Sequence, residues 1–163
     1  MIKDRIETNI AGGLDFALPP LARVRQKFDA TKLDDIAGAI RKEFARPEVR
    51  ERVKPGQIVA VGCGSRGVAN IALIACTVVQ ELKALGAKPF IFPCMGSHGA
   101  ATAEGQRKVL ETYGITEETA GVPIRATMET TNVGHLDDGT PVHMDKYAAE
   151  AEAIEVINRI KPH

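Results

Sequence analysis

The side chains best equipped for chemistry fall in three short clusters rich in glycine or proline. These are Gly64-Ser65-Arg66-Gly67, Gly96-Ser97-His98-Gly99 and Lys161-Pro162-His163. Unperturbed imidazole titrates near ~6.5, so His98 and His163 suit general acid–base work, and neutral imidazole also ligates metals. The glycines flanking His98 leave its ring uncovered and allow close approach of a substrate. Arg66 offers a permanently charged fork that matches a carboxylate or a phosphate. The small residues around it let backbone N–H groups approach an anion, and a helix N-terminus after the turn would add roughly half a positive charge. Two readings stay open here: an anion site, or a tight strand-to-helix turn with Arg66 in solvent. The dinucleotide fingerprint is incomplete, and no lysine of a phosphate-binding loop follows. His98 is either an acid–base group or a loop histidine without a task. His163 is either functional or simply the last residue of the chain.

Other candidates have plainer explanations. Cys63 and Cys94 could form a soft metal site with His98, but small buried thiols are the commoner outcome. Cys76 falls within an apolar helical pattern and reads as core. His135 and His143 flank Asp137-Asp138-Gly139 and read as surface positions across a hairpin. The spacing of a calcium loop is missing there. The Glu-rich segment 150–155 reads as a solvated face. No CxxC, GxSxG or HExxH occurs, so the corresponding zinc, hydrolase and protease signatures are absent.

The elements that must position these groups follow from periodicity. Residues 1–20 read as an irregular lead-in, and 21–28 alternate like an edge strand. Thr31 and Asp34 resemble a capping box before a helix carrying Leu33, Ile36, Ala37, Ile40 and Phe44, closed at Arg46-Pro47. Ile58-Val59-Ala60-Val61 is a continuous apolar run suited to a strand buried on both faces. After the Gly64 cluster comes a long apolar helix through Ile71, Ile74, Ala75, Val78, Val79, Leu82 and Leu85, with Gly86 as its left-handed cap. Phe90-Ile91-Phe92 is a second buried strand. Thr102 opens another helix, ended by Gly114. Strand, helix, strand, helix with short loops predicts right-handed parallel crossovers. Further on, 124–133 suggests a strand, 133–136 and 141–144 a hairpin, 145–152 a short helix and 153–160 a last buried strand. The expected fold is α/β: a Rossmann-like, mostly parallel sheet with flanking helices and a small β-hairpin. In such sheets ligands bind beyond the carboxyl ends of the strands. Arg66, His98 and His163 should therefore rise from one edge.

Composition narrows the function. The 163 residues are 44% hydrophobic and 26% charged, ordinary for one globular domain. With 21 basic against 21 acidic residues, 4% aromatics and no Trp, there is no electrostatic footprint or stacking platform for nucleic acid. Nothing reads as a membrane span or a cleavable signal. Three widely spaced cysteines point to a reducing cytoplasm.

Taken together, Gly64-Ser65-Arg66-Gly67-Val68-Ala69-Asn70-Ile71, Met95-Gly96-Ser97-His98-Gly99-Ala100-Ala101-Thr102-Ala103-Glu104-Gly105 and Asn158-Arg159-Ile160-Lys161-Pro162-His163 resemble the N-terminal domain of the nickel-dependent lactate racemase family, in its racemase-like branch. The resemblance runs from about Leu21 onward. It implies an isomerase that inverts 2-hydroxy acids by hydride transfer, using a nickel-pincer nucleotide. His98 and His163 would be the two acid–bases, and Arg66 would hold the substrate carboxylate or the cofactor phosphate. Gly64, Ser65, Arg66 and Ser97 would lie against the cofactor. The resemblance further implies that residues 1–163 are an N-terminal catalytic domain. The cofactor-bearing lysine, the nickel-ligating histidine and a C-terminal domain would lie beyond His163, so no metal ligand is expected here and residues 1–163 alone are expected to be inactive. Cys63 stands where lactate racemases carry an acidic residue, a departure that bears on substrate choice. Two alternatives are a non-catalytic anion- or nucleotide-binding module and a metal-dependent hydrolase or lyase using Cys63, Cys94 and His98.

Overall fold

The computed structural model describes residues 20–29 and 31–160. The chain divides into two compact units, Met1–Lys32 and Leu33–His163. In the first, the described residues form no helix or strand and are exposed. The alternation over 21–28 therefore does not produce an edge strand: Leu21, Val24 and Phe28 all stand in solvent, and alternation without a partner face does not order a strand.

The second unit begins with α1 (Ile36–Phe44). Its cap is Asp35, whose carboxylate accepts from the Gly38 N–H at 2.7 Å. Thr31 does not cap it; its N–H and hydroxyl both turn back to Asp29. A single turn, α2 (Pro47–Arg50), follows with proline in its first position, where the missing N–H costs nothing.

The centre is a parallel sheet of β1 (Ile58–Cys63), β2 (Lys88–Pro93) and β5 (Ala153–Ile157), in the order β2-β1-β5. β1 pairs both neighbours in parallel, with Cys63 opposite Pro93 on one side and Ile157 on the other. The three carboxyl ends are thus level. Side chains of β1 alternate between two cores. Val59, Val61 and Cys63 pack under α3 (Ile71–Ala84) against Ala75, Val78, Val79 and Leu82. Ala60 faces the other way, with Phe90, Phe92 and Ala148. Both faces are covered, which is why the run reads as continuous apolar sequence. Gly86, at φ +85°, ends α3 as its left-handed cap, a conformation that side chains resist.

β2 contains Pro89 and Pro93, unusual inside a sheet. The Ile91 N–H points away from β1 and donates to the Pro123 carbonyl. Residues 89 and 93 share that orientation, so their missing N–H groups fall on the side where β2 meets only an isolated bridge at Ile124. The segment 124–133 is accordingly not one strand. Ile124 makes the bridge, and β3 (Thr130–His135) starts later, pairing antiparallel with β4 (Pro141–Asp145) as the hairpin.

Between β2 and Ile124 lie α4 (Ala103–Thr112) and the turn α5 (Glu117–Ala120). Thr102 caps α4 by accepting from the Gly105 N–H at 3.0 Å, and Gly114 at φ +80° follows its end. The 145–152 helix is shorter than expected: Asp145 caps α6, which runs only Lys146–Ala149. The Glu-rich segment is a solvated face, with Glu150, Glu152 and Glu155 all exposed. Within it the Glu152 carboxylate accepts from the Ile58 N–H at 2.7 Å, and partial desolvation raises the Glu155 carboxyl above its ordinary value. Among the described residues no helix is long and apolar enough to cross a membrane.

Candidate functional site

Parallel pairing puts the segments after β1, β2 and β5 at one rim, where they line a cavity of about 240 Å³ formed by Ser65, Arg66, Cys94, Met95, Gly96, His98 and Asn158. Arg66 and His98, 32 residues apart in sequence, meet there. One guanidinium N–H of Arg66 lies 3.0 Å from His98 Nε2. Ser65 Oγ lies 2.5 Å from His98 Nδ1.

These two contacts define the state of the imidazole. A guanidinium has only donors, so Nε2 must present its lone pair to Arg66. The ring proton therefore sits on Nδ1 and donates to Ser65 Oγ. The Ser65 hydroxyl, having accepted that bond, keeps its own proton free to donate elsewhere. A neutral histidine in a fixed tautomer, touching a permanent cation, is the chemical core of this rim.

The backbone that holds His98 is tightly folded. Gly96 and Gly99 have φ of +61° and +65°, and Ala100 and Ala101 of +57° and +53°. Two consecutive alanines in the left-handed region cost roughly 1 kcal/mol or more each. Close packing on the first turn of α4 offsets this. A Cβ on Gly99 would meet the Gly105 carbonyl oxygen at 2.7 Å, and one on Gly105 would meet the Gly99 carbonyl carbon at 2.7 Å. The spacing Gly99…Gly105 is therefore a steric requirement of the turn. Gly64 is fixed in the same manner, because a Cβ there would fall 2.8 Å from Asn158 Cγ.

The remaining candidates divide. Gly64 is buried beneath Asn158, and its N–H donates to the Ile157 carbonyl, so it offers no donor to an anion. α3 begins at Ile71, with Asn70 rather than Gly67 before it, which separates the helix N-terminus from the Arg66 turn. The phosphate-nest reading of residues 64–67 loses its helix N-terminus and the Gly64 donor. Ser97 lies exposed in the turn, its carbonyl accepting from the Ala101 N–H. His163 lies outside the described residues.

The soft metal site built on Cys63, Cys94 and His98 does not form. Cys63 sits in the core under α3, while Cys94 packs against the opposite face. Burial pushes the Cys63 thiol up to about 12 and raises Cys94 as well, whereas a metal ligand must be a thiolate. Cys76 is half-buried against the core, its S–H directed at the Thr119 carbonyl. His135 and His143 occupy exposed hairpin positions, beside Asn132 and Thr130. Among the described residues no three His, Cys, Asp or Glu side chains are placed to hold a metal ion. The donor set of the described residues does not fit nickel.

Two contributors carry no motif in the sequence, one on α4 and one at its C-terminal cap. The buried Gln106 donates from Nε2 to the Gly96 carbonyl at 2.6 Å, and the Tyr113 hydroxyl donates to the Ser65 carbonyl at 2.6 Å. Their separation of seven residues, two turns on one face, was the available signal. A larger, mainly apolar hollow of about 600 Å³ shares the Cys94-Met95-Gly96 wall with the rim cavity and extends past Phe92, Met128 and Met144.

A family description, lactate racemase N-terminal domain, matches residues 20–163. No curated protein matches the chain.

Proposed function

The chain belongs to the family of lactate racemase N-terminal domains, and from that premise we propose that it is the N-terminal catalytic part of a 2-hydroxyacid racemase or epimerase. Inverting such a carbon requires its hydrogen to leave and return on the opposite face while the hydroxyl proton is held nearby. In this reading His98 holds that proton on Nε2, and Arg66 anchors the carboxylate. His163, outside the described residues, is the proposed counterpart on the other face. None of the described residues takes up the hydrogen that leaves the carbon; a nickel-pincer nucleotide, which the family resemblance implies, would supply the acceptor.

The observation that carries this reading is the 3.0 Å contact between Arg66 and the bare Nε2 of His98. At rest the anchor occupies the base. A substrate carboxylate competes for the same guanidinium, and the competition is unequal. Both contacts have a charged donor, at roughly 1.5–3 kcal/mol per hydrogen bond, but a carboxylate is itself charged and takes both prongs of the fork, where the imidazole nitrogen takes one. Arriving substrate thus draws Arg66 off the imidazole and frees Nε2 beside the hydroxyl to be deprotonated. Binding and unmasking of the base are one event.

The test is racemisation of a panel of 2-hydroxy acids (lactate, malate and sugar acids) by the cofactor-loaded full-length protein, wild type and His98→Gln. The expected result is turnover by the wild type and a loss of at least ~10²-fold in the variant, with an unchanged circular dichroism spectrum. Turnover within threefold of wild type in the variant overturns the role of His98, and failure of the wild type on every acid overturns the activity.

A further inference from the structure

Helix α4 touches both halves of the rim, and the tyrosine at its end makes the more consequential contact. Ser65 and Arg66, which engage the two ring nitrogens of His98, are adjacent in sequence and flanked by Gly64 and Gly67. Gly64 is anchored to Ile157 beneath Asn158, but Gly67 has φ +49°, so the Ser65–Arg66 peptide, held on one side only, lacks a fixed orientation of its own. The Tyr113 hydroxyl supplies it, donating at 2.6 Å to the Ser65 carbonyl, the oxygen of the peptide that joins Ser65 to Arg66. One tether thus orients the plane from which both partners of the imidazole project. Two turns earlier on the same helix, Gln106 grips the Gly96 carbonyl at 2.6 Å and fixes the strand-end loop that carries His98 itself. Leu110, fully buried between them, seats the helix in the core.

We infer that Tyr113 is a positioning residue of the site: by holding the Ser65–Arg66 peptide, its hydroxyl fixes Ser65 on Nδ1 and Arg66 on Nε2, and thereby locks His98 in the tautomer whose free lone pair is on Nε2. Tyr113 reaches the imidazole only through these two residues. Its consequence for turnover rests on the proposed racemase reading; its consequence for the ring does not.

The experiment uses Tyr113→Phe, which keeps the ring and removes only the hydroxyl, in the 163-residue chain labelled with ¹⁵N-histidine. Long-range ¹H–¹⁵N spectra report the tautomer directly. Wild-type His98 should give the pattern of a protonated Nδ1 and a bare Nε2. In Tyr113→Phe the two nitrogen shifts should move toward each other as the Nε2–H form gains population, while the thermal midpoint falls by only a few degrees. Leu110→Val, which loosens the same helix but removes no hydrogen bond to either loop, should leave the His98 pattern in place. In the cofactor-loaded full-length protein, Tyr113→Phe should lower kcat roughly 5- to 10-fold, about the worth of one hydrogen bond, with a smaller change in KM. Unchanged His98 shifts in Tyr113→Phe, an equal displacement in Leu110→Val, or a wild-type spectrum of the Nε2–H form would each overturn the inference. Should the spectra behave as expected while no 2-hydroxy acid is turned over, the positioning role stands and the racemase reading falls.

Discussion

Replacing Gly105 by alanine sets two effects against each other whose balance the structure decides. In an ordinary helix interior the change stabilises by about 0.5–1 kcal/mol, because glycine loses more backbone freedom on folding. At this position the new Cβ would lie 2.7 Å from the Gly99 carbonyl carbon and nearer still to its oxygen. Ordinary contact between such atoms needs roughly 1 Å more. Neither body yields cheaply: the first turn of α4 is pinned by the Thr102 cap, and the 96–101 loop is already held in left-handed backbone. Overpacking of this kind costs about 1–3 kcal/mol. If the loop moves, the His98 contacts to Ser65 and Arg66 stretch beyond hydrogen-bonding range, at about 1 kcal/mol each. The expected net result is destabilisation by about 1–3 kcal/mol, measurable as a lower urea midpoint at constant slope. The His98 ring resonances should shift at the same time, and a 1 Å displacement of the base costs up to ~10²-fold in turnover of the loaded enzyme. A Gly105→Ala protein that is as stable as wild type or more so, with His98 resonances unmoved, would refute the claim that this glycine exists for close approach.

Three further outcomes follow from burial and titration. Leu110→Ala, at a side chain fully excluded from solvent, should lower unfolding free energy by about 2–5 kcal/mol, and a loss below 1 kcal/mol would contradict the placement of α4 on the core. The Cys63 thiol, pushed up to about 12, presents roughly one thiolate in 10⁴ molecules at pH 8; it should resist iodoacetamide in the folded protein and react once urea unfolds it, as peptide mass mapping can show. Glu155 is exposed at the mouth of the groove between α1 and β5, where partial desolvation raises its carboxyl above the ordinary value. The folded state then holds that proton more tightly than the unfolded state, so this group's contribution to stability falls as pH rises through the carboxylate range. Glu155→Gln should therefore raise the thermal midpoint modestly at pH 7, and the gain should vanish below about pH 4, where both states are protonated; a pH-independent difference would contradict the assignment.

Much of the scaffold was legible in the letters because its signals are local or periodic. The apolar run 58–61, the helix through Val78 and Leu82, the Gly86 and Gly114 stops and the Thr102 cap each depend on neighbours within a turn or a strand, and each element formed as expected. The parallel sheet followed from their alternation, and with it the prediction that the Gly64 and Gly96 clusters share an edge. What failed locally did so for want of a partner: the alternation over 21–28 forms no strand among the described residues, and 124–133 gives one bridge where a strand was expected because β2 offers little of its outer edge. Other facts are contacts between distant segments, which sequence spacing does not encode. The side on which Pro89 and Pro93 lack their N–H, the opposite faces taken by Cys63 and Cys94, the closure of Gly99 on Gly105 and the tautomer of His98 are all of this kind. So is the role of Tyr113, whose hydroxyl finds a carbonyl 48 residues earlier in the chain. Residue types determined which groups were able to do chemistry; packing determined which atom of each is free to do it, since a hydrogen bond is a property of two positions in space and a sequence specifies each of them only through the fold.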